Sequence, residues 1–169
     1  MGNVMPIPKQ HRIIKPENRL QSKMRLSKLS VSELMAKANA VMAAIAASYP
    51  EWLQKDLEKL IAAHERLRED PLDEAARSEL FRTAHDIRGQ AAGFGYDLAS
   101  HAGGSLCQCL RQRPVLSTAD LHVVDAHINI IRACLGQSLK GDGGAIGQEL
   151  VAELNILIER TKPRQEPVS

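Results

Sequence analysis

Between Leu80 and Gly95 the chain reads L-F-R-T-A-H-D-I-R-G-Q-A-A-G-F-G, and His85, Arg88 and Gly89 in that run could together handle a phosphoryl group. Neutral imidazole has a reference pKa near 6.5, so much of it is a nucleophile around pH 7. An arginine at i+3 adds a permanent charge and several donors for phosphoryl oxygens. A glycine at i+4 costs about 1 kcal/mol relative to alanine inside a helix, and close approach of a partner's backbone to His85 gives a reason for it. Phe81 and Ala92 fall on the same face on either side of the histidine and form an apolar rim on which a partner could dock.

The helix that must carry these residues is legible too. Leu80, Ala84, Ile87, Ala91 and Phe94 recur at spacings of four and three, which makes one apolar stripe. His85 falls roughly 140° from the middle of that stripe at about 100° per residue. Burying the stripe therefore turns the histidine toward solvent.

This run resembles the signature of the histidine phosphotransfer (HPt) family, H-x-[LI]-[KR]-G-x-[AS]-x-x-[LF]-G, with His85, Ile87, Arg88, Gly89, Ala91, Phe94 and Gly95 in the defined slots. The preceding Leu80-Phe81-Arg82 is similar to the phosphotransfer domains of chemotaxis-type kinases, which adds Arg82 to the expected docking surface. The resemblance implies a helical bundle whose histidine, His85, accepts phosphate from one aspartate and passes it to another. It implies response-regulator receiver domains or a hybrid histidine kinase as partners. It implies no cofactor on this chain, any Mg2+ belonging to the partner receiver. One position departs from the chemotaxis-type pattern. The following helix, Asp97 to Arg113, carries no glutamate to orient the imidazole. A second reading keeps the docking surface without phosphate transfer, as a helical regulatory module that binds receiver or kinase domains.

The surrounding elements read as helices separated by short gaps. Ser30-Val-Ser-Glu33 has the form of a capping box and opens a helix over 31–47 with Leu34, Val41 and Ile45 on one side. Ser48-Tyr-Pro-Glu51 has the same form, and Leu53, Leu57, Leu60, Ile61 and Leu67 carry a second helix to Glu69 before Asp70-Pro71 stops it. Asp73 can cap the histidine helix, which Gly93 and Gly95 end. A further helix runs from about Tyr96 to Arg113 and contains Gly103-Gly104, read either as a close contact or room for a partner, or as a local kink. Ser117-Thr-Ala-Asp120 begins the next, with Leu121, Val124, Ile128, Ile131 and Leu135 inward. After the loop Gly141–Gly144 a last helix spans 145–160, with Ile146, Leu150, Leu154 and Leu157 as its stripe. No period-2 alternation persists, so no sheet is expected. The expected fold is all-α: an antiparallel up-down four-helix bundle from Pro50 to Leu139, with extra N- and C-terminal helices.

Composition narrows the class. Hydrophobic residues make up 44% of the 169, but aromatic ones only 3%, so the core is aliphatic. Residues 1–30 hold seven Lys/Arg against the single acid Glu17, a net of +6, which leaves −4 for the rest of a chain whose total is +2. With three prolines and no apolar periodicity, 1–29 reads as a flexible basic arm, 30–162 as the bundle and 163–169 as a tail. The arm could touch nucleic acid, an acidic lipid surface or an acidic receiver domain, but without interleaved aromatics it reads first as a solvated tail with no specific partner, and nucleic acid is not the expected one. Three cysteines, the lack of an apolar leader and the lack of a membrane-length run predict a soluble cytoplasmic chain, read as a monomer. His101, His122, His127, Cys107, Cys109 and Cys134 have poor spacing for one metal ion, and His64 reads as a boundary residue. No ATP-binding kinase module fits in what remains, so the chain is expected to be a phosphocarrier and not an enzyme in its own right.

Overall fold

The computed structural model describes residues 30–162, and the basic arm and the C-terminal tail expected from the sequence lie outside them. Five α-helices follow in order: α1 (Val31–Glu69), α2 (Glu74–Gln90), α3 (Asp97–Gln112), α4 (Thr118–Gly136) and α5 (Gly144–Arg160), with a 3-10 turn, Ala91–Phe94, after α2. Among the described residues there is no strand. Two compact units divide the chain, residues 1–40 and 41–169. In the first, the described residues are Ser30 and the opening turns of α1, all exposed. The second contains the helical bundle.

Local chemistry starts the helices where the caps predict. The Glu33 N–H donates to Ser30 Oγ at 3.3 Å and the Ser30 N–H donates to Glu33 Oε2 at 2.6 Å, a reciprocal capping box. The Ser30 hydroxyl, which donates to the same Glu33 oxygen at 2.8 Å, and then the Ser30 N–H hold the Glu33 carboxyl below its ordinary pKa. Asp73 accepts from the Ala76 N–H at 2.9 Å and so caps α2, while Arg66 of α1 donates to its other oxygen. Ser117 and Asp120 form a second box at α4. Asp120 also meets Arg113 at 2.6 Å in a buried ion pair, and Arg113 reaches on to the Ile158 carbonyl of α5.

One expected boundary is absent. The separate helices over 31–47 and 50–69 are a single helix, α1, which runs through Pro50. Ser48 behaves as an interior residue: its hydroxyl donates back to the Ala44 carbonyl at 3.3 Å instead of capping a new helix. Proline lacks an N–H and its ring crowds the carbonyl four residues earlier, so continuing the helix through Pro50 carries a cost that packing must offset. Burial of Tyr49 and Leu53 on either side of Pro50 favours the continuous helix.

The bundle core is aliphatic, as composition requires. Leu53, Leu60 and Leu67 of α1 join Leu80, Ala84 and Ile87 of α2, Ala102, Leu106 and Leu110 of α3, and Leu121, Ile128 and Ile131 of α4. Helix α4 is buried on two faces, because Val123, His127, Ile130 and Cys134 are enclosed as well. On α5 the expected stripe shifts: Leu154 is buried, but Ile146 is exposed and Gly147 is buried in its place. A Cβ on Gly147 would lie 1.9 Å from the Asp142 carbonyl oxygen, so only glycine lets the preceding loop pack here. That loop also satisfies the start of α3, where the Leu98 N–H donates to the Gly141 carbonyl at 2.9 Å.

Candidate functional site

On α2, Leu80, Thr83, Ala84 and Ile87 are buried, and Arg82, His85, Asp86, Arg88 and Gly89 are exposed. The predicted stripe therefore holds His85 in solvent. Its ring stacks on Phe81, centroids 6.4 Å apart and planes 22° from parallel. Among the described residues the imidazole makes no hydrogen bond, so both nitrogens can reach a partner. A Cβ placed on Gly89 would meet nothing within 4 Å, which leaves open space one turn from the ring.

The backbone carrying His85 is held by α3. A Cβ on Gly103 would sit 2.7 Å from the Ala84 carbonyl oxygen and 3.0 Å from the Arg88 nitrogen, so the two helices touch backbone to backbone there. Those two atoms are the i and i+4 partners that bracket His85 within α2. Ser100 adds a hydrogen bond from its hydroxyl to the Arg88 carbonyl at 2.7 Å. Gly103 thus resolves the sequence alternatives in favour of close contact. Gly104 gives the Arg88 side chain a lane, with the Arg88 Cδ 3.5 Å from where a Cβ would be.

A groove of about 720 Å³ opens beside this contact, lined by Arg88, Ala92, Ser100, Gly104, Gln108 and Arg111 among others. Arg111 lies with its guanidinium carbon 5.2 Å from the centre of the Phe81 ring, so Phe81 packs against both Arg111 and His85. Neither Arg88 nor Arg111 is in an ion pair among the described residues. Both lie near Cys107, whose thiol burial pushes up while the two guanidinium groups pull it down. Arg111 and Gln108 were missed by sequence reasoning. Their signal is the spacing Gly104, Gln108, Arg111, which puts them on one face of α3.

The other candidates are placed elsewhere. Arg82 is exposed, and Ala92 lies past the end of α2 but lines the same groove as Arg88. His127 is fully enclosed. A carbonyl can only accept, so its Nδ1–H donates to the Val123 carbonyl at 2.7 Å and its Nε2 accepts from the Ser105 hydroxyl at 3.0 Å. Burial pushes its pKa down to about 4. His64 is buried too, donating to the Leu121 carbonyl at 3.0 Å, so it is an interior residue and not a boundary one. Cys107, Cys109 and Cys134 are buried free thiols. Among the described residues no three His, Cys, Asp or Glu side chains cluster to hold a metal, and none of the described helices is long and apolar enough to cross a membrane.

An exposed imidazole on a rigid helix, with a cation and open space beside it, can attack a phosphorus centre presented by another protein. Residues 45–161 match the family model described as "Hpt domain". No curated protein and no solved structure matches the chain.

Proposed function

The chain belongs to the Hpt domain family, whose members serve histidine phosphotransfer in phosphorelays, and from that premise we propose that His85 carries the phosphoryl group between aspartates of receiver domains. The observation that carries this reading is the exposure of His85 beside unfilled space at Gly89, on a backbone clamped by α3. In the forward step a ring nitrogen of His85 attacks the phosphorus of an aspartyl phosphate. The N–P bond forms as the P–O bond breaks, and the aspartate leaves as carboxylate. The return step reverses this on a second receiver.

Each neighbour has a task in that scheme. Arg88 presents its charge to the phosphoryl oxygens. Gly89 leaves room for the receiver's backbone. Phe81, Arg82 and Ala92 form the surrounding contact surface. On this reading the transfer itself asks for no cofactor on this chain, any Mg2+ belonging to the partner receiver. We place the protein in the cytoplasm, where receivers and kinase domains meet it.

Incubation with a labelled, phosphorylated receiver domain tests the assignment. Label should move to this chain and be acid-labile and base-stable, as a phosphoramidate is. If receivers bind the surface but never transfer label, the chain is a docking module instead.

A further inference from the structure

On α2, Ser78, Phe81, His85 and Arg88 follow one another at spacings of three, four and three, so they lie along one line of the helix. About two turns before His85 this line meets a second groove, of about 460 Å³, lined by Arg77, Ser78, Phe81, Leu110, Arg111 and Pro114. Phe81 lines the groove and also stacks on His85. Arg111 lines both this groove and the one beside Arg88. Two guanidinium groups therefore stand in the second groove, and no carboxylate lines it. Arg77 donates from one nitrogen to the Leu110 carbonyl and has another enclosed without an acceptor. Neither Arg77 nor Arg111 is in an ion pair among the described residues. Glu79, the nearby acid of α2, turns to Arg66 of α1 instead.

We propose that this groove receives an acidic side chain of the receiver domain that docks on His85, an inference that rests on the receiver docking proposed above. A receiver whose aspartyl phosphate reaches His85 lies over Phe81, and hence over the mouth of the groove. Covering two unpaired arginines is unfavourable unless an anion meets them, because each loses water without gaining a partner. An aspartate or glutamate meets both needs. Its carboxylate accepts from the guanidinium groups, and its methylene stem packs on Leu110 and Pro114. A neutral or basic side chain in its place leaves the arginines unpaired under the interface, so the groove discriminates among receivers. Seven residues separate Ser78 from His85, about 10 Å along the helix. The contact is too far away to touch the reacting atoms, and it acts on association and not on the chemical step.

The test uses the full chain and the receiver domain that binds it most tightly. Ser78→Glu puts a carboxylate at the lip of the groove, on an exposed helical position that glutamate suits. It should raise the receiver concentration for half-maximal transfer about two- to fivefold and leave the limiting rate unchanged. Changing the receiver's surface acids to lysine one at a time should find one with the same effect, and Arg111→Glu should reverse that effect. Binding to His85→Gln separates the two claims, because nothing is transferred there and Ser78→Glu should still raise Kd by the same factor. Transfer that proceeds with a half-maximal concentration unmoved by Ser78→Glu would overturn the groove and leave His85 as the carrier. So would a receiver with no acid whose loss Arg111→Glu reverses. If no label passes but Kd rises with Ser78→Glu, the groove stands and the phosphocarrier reading falls. A chain that binds no receiver would overturn both.

Discussion

Arg88 stands one turn from His85 with its stem along Gly104 and its charge in the groove. An exposed cation of this kind is worth about 0.5–1 kcal/mol toward an incoming phosphoryl group, so its effect on transfer is severalfold. Arg88→Ala should therefore slow phosphorylation without abolishing it, with the gap narrowing as salt rises, and Arg88→Lys should recover most of the rate. Equal rates for wild type and Arg88→Ala at low salt would remove Arg88 from the site. Gly89→Leu gains helix propensity and fills the open space beside the ring. Its thermal midpoint should be unchanged or raised while transfer slows; undiminished transfer would place Gly89 outside the interface. His85, Arg88 and Gly89 were legible in the sequence because exposure on one helix follows from that helix's own apolar stripe. Arg111 was not, because its position over Phe81 depends on the register between α2 and α3, which no single helix encodes.

At the scale of elements, the crossing of α2 and α3 is what fixes His85 in space, and Gly103 and Gly104 play different parts in it. A methyl group on Gly103 would press on the Ala84 carbonyl at 2.7 Å, a backbone atom that cannot step aside. Gly103→Ala should cost about 1–3 kcal/mol by overpacking and slow transfer by shifting the backbone under His85. Gly104→Ala meets only the flexible Arg88 side chain at 3.5 Å and gains about 1 kcal/mol of helix propensity, so its thermal midpoint should rise. The two melting curves, recorded side by side, check this; a harmless Gly103→Ala would contradict the backbone contact. The caps at Ser30, Asp73 and Ser117 were readable because each is a local hydrogen-bonding pattern. Ser48-Tyr-Pro-Glu51 has the same local form but does not start a helix, since burial of Tyr49 and Leu53 rewards continuity. The glycine pair had two readings in sequence, and only the opposing helix decides between them.

The whole molecule couples stability to pH through the enclosed His127. Its folded pKa, about 4, lies below the ordinary 6.5 because burial disfavours the charged ring, with His101 and Arg113 adding smaller pressure in the same direction and the bond to Val123 opposing it. The unfolded chain thus binds the extra proton first. Stability from the neutral ring is full above about pH 6.5 and is lost as pH falls toward 4, by at most about 3 kcal/mol. Urea midpoints at pH 7.5 and pH 5 should differ accordingly, and His127→Gln should flatten part of the difference, His64 supplying the rest by the same burial effect. An unchanged slope in His127→Gln would show that this ring does not carry the coupling. The all-α class and the aliphatic core could be read from composition and period; the burial of His127 could not, because α4 is enclosed on two faces and its apolar stripe reveals only one. The bundle in turn exists, on this account, to hold one imidazole in reach of a receiver. The most direct test is transfer from a phosphorylated receiver to wild type and to His85→Gln, compared with single variants of the exposed histidines His101 and His122. Acid-labile label on every protein except His85→Gln is the expected result, and label retained by His85→Gln would contradict the account.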